Sequence, residues 1–530
     1  MDSLTPGKRV LVGRGALGAL VVLWLVIRVT LFVGGVSGSS DAPAYAQHAY
    51  NLVTGQYRMT TQTDYFGFRY VVLLPTALAY WLFGVTDWSS VLFPLLASLA
   101  TLLLVVRLGT VWFDRQTGLL AGLLYSFFPL DCLNATLLGA SNFVPLLSSV
   151  AILAFWQAGQ TPTSRRRPIW CFASGLGVGL CTLAREFAIP ILGSIGLMAL
   201  DWRTWRERIK GISMVGTGFA TPLLLEGFYY WYATGDLFSR VTVIRRHAEL
   251  YGGGPVPRAS VSWAHYPRAL LGLDLDGLAH FGFFAYLALG AIVLAAIRKE
   301  LNSLRLLLFW IVPVFGYLEF GSMSLTHYLP MIKEYAYLSF ISVPLVLLGA
   351  YGLMAILKIR RRTEAVQKTA RWRAAIVALG IAGLAATSLY GVYRVRENYW
   401  DDSHPYQVVA ETVKAHPERP IFVPNVRWAL FLNYLLRYHT GFNYYNSSSP
   451  DMGTGRIHYL WEIQDASRLP AAYVVIHDRY LYYDGFGRPV GRVQKLPAYV
   501  FSPPSSWRVV VQEHVDSAYN SFALYETDRE

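Results

Sequence analysis

Four short stretches hold the side chains best suited to chemistry. The first reads Ser40-Asp41-Ala42-Pro43-Ala44-Tyr45-Ala46-Gln47-His48, a helix start with Asp41 at the N-cap position and a proline in the first turn. At helical spacing Asp41, Tyr45, His48 and Leu52 share one face. An ordinary carboxylate is ionised at neutral pH and accepts the proton of a hydroxyl; the plainer role for Asp41 is simply to cap its helix. The other stretches are cationic: Arg69, then Arg185-Glu186, then Lys333-Glu334-Tyr335 preceded by His327-Tyr328. A guanidinium is a planar fork matched to phosphate oxygens, whereas the plainer role of a cation at a helix end is to snorkel.

The elements that must hold these residues are apolar. Of 530 residues, 54% are hydrophobic and 15% charged, and mean hydropathy is +0.36, which makes a bilayer the expected solvent. Runs at 16–33, 91–106, 117–130, 143–156, 169–184, 187–200, 211–232, 280–297, 306–320, 335–357 and 374–392 give about eleven transmembrane helices. The first, following Lys8, Arg9 and Arg14, reads as a retained signal-anchor. The net charge of +13 would suit nucleic acid, but the basic residues lie between apolar runs, so no nucleic-acid partner is expected. They report topology instead.

With 66–84 kept outside as an interfacial helix, every second loop is basic, from Arg107 and Arg115 through Arg165, Arg166 and Arg167 to Lys358 and beyond. The N-terminus is then cytoplasmic, and the long loops 34–90 and 234–279 face outward with everything after about 393. The expected division is a membrane domain over 1–392 and a soluble extracytoplasmic domain over 393–530. Short β-type runs at 421–423, 473–476, 507–511 and 522–525, with a helical stretch at 426–438, make the tail a small α/β domain. Cys132, Cys171 and Cys181 show neither pairing nor metal spacing.

Ordered motifs along the first 360 residues resemble the GT-C glycosyltransferases, in the branch of protein O-mannosyltransferases and lipid A aminoarabinose transferases. Asp41 is followed by Tyr45-Ala46, Leu52 and Gly55-Gln56-Tyr57; Trp81-Leu82-Phe83-Gly84, Trp112-Phe113-Asp114, Thr234-Gly235-Asp236 and Lys333-Glu334-Tyr335 are similar to recurrent family segments. The resemblance implies a mainly α, GT-C-like membrane fold and transfer of a sugar from a polyprenyl-phosphate donor to a protein, lipid or glycan acceptor. It makes Asp41 the catalytic carboxylate. Tyr45, His48, Arg69, Arg185, Glu186, His327, Lys333 and Tyr335 are the expected substrate-binding residues, with Arg185 placed where a family cation meets the donor phosphate.

Departures from the family pattern are informative. Ala42 stands where a second carboxylate is common, which leaves a divalent metal doubtful; Leu92-Phe93-Pro94 replace an arginine at the second span, and Ser141-Asn142 an acidic residue after the third, with Asp131 nearby as a substitute. Arg28 and Glu226 lie inside spans, where ionisable groups are functional candidates, although Glu226 paired with an internal Arg or Tyr would be packing. Arg245-Arg246-His247 read as a solvated basic run or a steering patch. Other classes fit too: a transporter or flippase, which would show inverted repeats and midplane charges, and an inactive scaffold that keeps the fold.

Overall fold

The computed structural model describes residues 14–38, 40–59, 65–161, 165–252, 264–322, 328, 330–331, 333–358, 366–443, 453–482, 496–513 and 521–527. They form two compact units: Met1–Phe32, Met59–Val72 and Leu92–Arg396 in one, and Val33–Arg58, Leu73–Val91 and Glu397–Glu530 in the other. The first outward loop is thus divided, and the piece bearing Asp41 groups with the tail.

The first unit is helical. Among the described residues, length and hydropathy fit six helices to cross a membrane, Asp87–Trp112, Phe143–Gln160, Arg167–Ala184 and Tyr335–Leu357 among them, and up to eight if each of two bent pairs is one span. Both bends fall inside runs that read as single spans in sequence. Arg115–Ser126 and Pro129–Ala135 meet at 60°, because Phe128, preceding a proline, is held extended. Leu275–Phe281 and Phe284–Ile297 meet at 72° across Gly282, whose φ of +52° is left-handed. The run at 187–200 yields only a 3-10 turn and the helix Pro190–Ala199. The run at 374–392 lies within a single helix, Val366–Val413, of 48 residues and about 70 Å.

Close helix packing fixes the chemistry-bearing ends. Arg167–Ala184 lies against Trp205–Thr234, where a Cβ on Gly175 would stand 1.9 Å from the Val215 carbonyl oxygen and one on Gly218 2.1 Å from that of Phe172. Only glycine permits that backbone approach. It brings Arg185, the C-cap of the first helix, toward the half of the second that carries Glu226. Trp310, Leu307, Phe340, Val346 and Tyr125 lie in the surrounding core.

In the second unit, five strands β1 (Ile421–Val423), β2 (Ile457–Tyr459), β3 (Ala472–His477), β4 (Arg508–Glu513) and β5 (Phe522–Thr527) form a sheet ordered β2-β1-β3-β5-β4. β1 is parallel to β2 and β3, and β5 is antiparallel to β3 and β4. β3 is buried along its whole length, as a continuous apolar central strand should be, while edge strand β4 has no buried residue and carries a bulge between Val509 and Val511. Helix Val426–Leu435 packs beside the sheet and against Ala42–Val53, the helix opened by Asp41.

Candidate active site

Arg185 follows helix Arg167–Ala184 in extended conformation, its N–H bonded to the Cys181 carbonyl at 2.8 Å. The buried guanidinium donates to the Ser141 hydroxyl at 3.1 Å. Its centre lies 4.8 Å from the Tyr337 ring, and Glu334, with 51% of its side chain exposed, stands 3.9 Å away. Ser141 occupies the position where the family favours an acid, so this arginine hydrogen-bonds a neutral partner there.

Glu186 organises the other side. It pairs with Arg240 at 2.9 Å, accepts from the Tyr65 hydroxyl at 2.8 Å and faces Arg69 at 3.8 Å. Arg69 also lies over the Tyr65 ring, 4.3 Å from its centroid. Arg240 pairs with Glu226 at 2.7 Å and donates to the Phe68, Thr182 and Leu183 carbonyls. Glu226 therefore takes the packing role weighed for it, with Arg240 as the internal partner.

Lys333 donates to the Leu318 and Glu319 carbonyls at 2.8 and 2.5 Å, closing the C-terminus of helix Arg305–Phe320, and lies 3.5 Å from the buried Glu319 carboxylate. Burial lowers its ammonium pKa, against the opposing pull of Glu319. The same carboxylate accepts the His265 and Tyr266 N–H groups at 3.2 Å, and Tyr266 hydrogen-bonds the Glu334 backbone. Tyr335 turns elsewhere, donating to Asp274 at 3.1 Å and stacking on His280; Tyr337 is the tyrosine over Arg185. His327 lies outside the described residues.

The structure thus strings Arg69, Glu186, Arg185, Glu334 and Lys333 through one polar region of the first unit. Asp41, Tyr45 and His48 belong to the second. Ser40, rather than Asp41, accepts the Ala42 N–H, at 3.2 Å. Asp41 makes no side-chain cap hydrogen bond and is exposed, so the capping role does not occupy its carboxylate. Tyr45 and His48 are each 1% exposed, within the unit, His48 edge-on to Tyr57 at 5.8 Å. Among the described residues no three His, Cys, Asp or Glu side chains gather as metal ligands.

With the geometry in place, comparison with known proteins decides the fold. A family described as dolichyl-phosphate-mannose-protein mannosyltransferase matches residues 70–225. ArnT from Cupriavidus metallidurans, bound to undecaprenyl phosphate, superposes with a TM-score of 0.58 over 97% of this chain and 98% of that one, at 16% identity. The oligosaccharyltransferase of Archaeoglobus fulgidus in its apo form gives 0.53 over 95% and 80%, at 13% identity. This protein has the GT-C glycosyltransferase fold. An undecaprenyl phosphate-alpha-4-amino-4-deoxy-L-arabinose arabinosyl transferase 2 of Sodalis glossinidius (strain morsitans) is 29% identical over 143 residues, which span 26% of this chain and 25% of that protein. Within the GT-C fold the chain resembles the mannosyltransferase and aminoarabinose transferase branch, and it is an integral membrane protein.

Two features of this GT-C chain bear on its sequence expectations. Asp131 does not stand in for the missing acid beside Arg185: it is buried, paired with Arg28, and accepts from the Ser98 hydroxyl at 2.6 Å and the Tyr125 hydroxyl at 2.7 Å. Arg28 also donates to the Ser126 carbonyl at 2.5 Å. Each charge of the pair thus has its counter-ion and further hydrogen bonds, which an ion pair within a span requires. The residue that sequence reasoning passed over is Arg240, which carries no motif of its own; the signal for it was the need of Glu226 for a cation.

Proposed function

We propose that the protein transfers a sugar from a polyprenyl-phosphate carrier to an acceptor on the extracytoplasmic side, with its N-terminus in the cytoplasm and the cell membrane as its location. Support comes from the Arg185 environment: a buried guanidinium with a neutral hydroxyl at hydrogen-bonding distance and a half-exposed carboxylate just beyond it. A phosphate oxygen arriving there replaces Glu334, which swings into water at little cost.

The chemistry is one direct displacement. The acceptor oxygen forms a bond to the anomeric carbon as the bond from that carbon to the phosphate oxygen breaks, inverting the centre. The leaving phosphate keeps the bonding electrons, and Arg185 and Arg69 stabilise its charge. Asp41 takes the acceptor proton. Lys333, already closing a helix end, holds the wall of the site. Sugar transfer through a phosphate already attached as leaving group needs no metal in this scheme.

The test is to incubate the purified chain in nanodiscs with polyprenyl-phosphate sugars and, separately, with nucleotide sugars, and to measure the polyprenyl phosphate or the nucleotide released. Consumption restricted to lipid-linked donors is expected. Consumption of nucleotide sugars alone contradicts the assignment.

A further inference from the structure

The second unit contains a cavity of about 440 Å³ lined by tail residues alone. Two helices end beside it. Val366–Val413 supplies Gln407 and Glu411 and is followed by Lys414; Val426–Leu435 is followed by Leu436, Arg437 and His439. Gln407, Glu411, Lys414 and His439 are exposed.

The turn at the end of the second helix is strained. Arg437 and Tyr438 both have left-handed φ, 54° and 61°; Lys299 is the other non-glycine residue with positive φ among those described. Glycine usually fills such positions, because a side chain there crowds its own backbone. The surroundings hold the turn in place: the Tyr438 N–H donates to the Asn433 carbonyl at 2.9 Å, the Tyr438 ring stacks on Tyr50 at 4.0 Å, and Arg437 donates to the Val85 carbonyl at 2.9 Å. Strain maintained in this way, on the wall of a cavity, is a mark of function.

The chemistry of the lining selects the ligand. Bare helix C-termini would favour a cation, but Arg456 already donates to the Val413, His416 and Arg419 carbonyls. What remains is mixed: Gln407 donates and accepts, Glu411 accepts, Lys414 donates, and His439 does either. Leu436 contributes to an apolar wall. A simple anion gains Lys414, beside Arg437 and Arg456 that already donate to carbonyls, but meets Glu411. A sugar ring presents hydroxyls that both donate and accept, and a C–H face for the apolar wall, and the volume lies within the range of small-molecule sites.

We propose that this cavity binds carbohydrate, a single ring or the end of a short glycan. The site is separate from the residues assigned to transfer, and the inference concerns binding alone. It is tested on the full chain in detergent micelles by saturation-transfer difference NMR with methyl glycosides of glucose, mannose, galactose and glucuronic acid, with glycerol and citrate as controls. Saturation transfer to at least one glycoside is expected, with binding about tenfold weaker in the Gln407→Ala/Glu411→Ala double variant. His439→Ala, which leaves the first helix untouched, weakens it in the same direction and covers the case in which the double variant misfolds. Transfer to no glycoside, equal transfer in wild type and variants, or a signal for glycerol or citrate matching that of the best glycoside overturns the proposal.

Discussion

Asn433 donates to the side-chain oxygen of Gln47 at 2.8 Å, joining the helix behind Asp41 to helix Val426–Leu435 through two fully buried amides. The chain of bonds continues from Gln47 to Asn51 at 2.9 Å, from Asn51 to Asn443 at 3.2 Å, and from Asn443 to Gln56 at 3.0 Å. Thr440 and the Phe442 carbonyl complete the partners of Asn433. A satisfied buried network of this kind fixes one arrangement, because each broken member leaves others unpaired.

Asn433→Leu therefore strands Gln47 and is expected to cost about 1–3 kcal/mol. Amide hydrogen exchange in 42–53 should rise while that in Tyr335–Leu357 stays at the wild-type level. Sugar transfer should fall with it. Unchanged exchange in 42–53 would show that the network does not hold the helix.

Arg185 tests the phosphate site. Arg185→Ala should lower transfer by roughly 10²–10³-fold, the range for removing one donor to a developing charge. Arg185→Lys keeps the charge but loses the fork and should fall between. The check is kcat and KM for a lipid-linked donor; equal loss in both variants would mean that the guanidinium fork rather than its charge matters, and no loss would remove Arg185 from the site.

The Arg28 and Asp131 pair is structural. Asp131→Ala leaves a buried guanidinium without its counter-ion and should destabilise the chain by about 3–5 kcal/mol. The double change Arg28→Met/Asp131→Leu should recover much of that loss. Thermal unfolding in detergent, followed by tryptophan fluorescence, reads both.

Glu462 gives the tail an acid limb. Burial raises its pKa, but the His458 hydrogen bond and the Tyr459 and Gly453 N–H groups outweigh that, so the folded value lies below the ordinary one. A depressed carboxylate stabilises the fold above the unfolded pKa, about 4.3, and the contribution disappears as pH falls through the folded value. Glu462→Gln should therefore lower Tm at neutral pH, and the gap from wild type should close below about pH 4. A gap that persists in strong acid would contradict the ionised role.

Hydropathy and loop charge made the helical membrane part legible, and the apolar runs at 421–423, 473–476 and 522–525 lie within strands of the final sheet. The helix start at Asp41 was legible from Asp and Pro spacing alone. β2 was not, since Ile457-His458-Tyr459 is three residues long and is defined by pairing with β1 rather than by its own pattern. The two bends escaped because a hydropathy window averages across Pro129 and Gly282. Arg240 and the amide network escaped for a different reason: their deciding partners, Glu226 for Arg240 and Asn433 or Asn443 for Gln47 and Asn51, lie 14 to 392 positions away in sequence, and polar residues that meet only in the folded chain look like surface when read in order.

The central claim is that Asp41 accepts the acceptor proton, and the direct measurement is single-turnover sugar transfer by wild type, Asp41→Asn and Asp41→Glu with a consumed lipid-linked donor. The account predicts a fall of roughly 10²–10⁴-fold in Asp41→Asn, partial activity in Asp41→Glu, and donor affinity unchanged in both. Transfer by Asp41→Asn at the wild-type rate would contradict it.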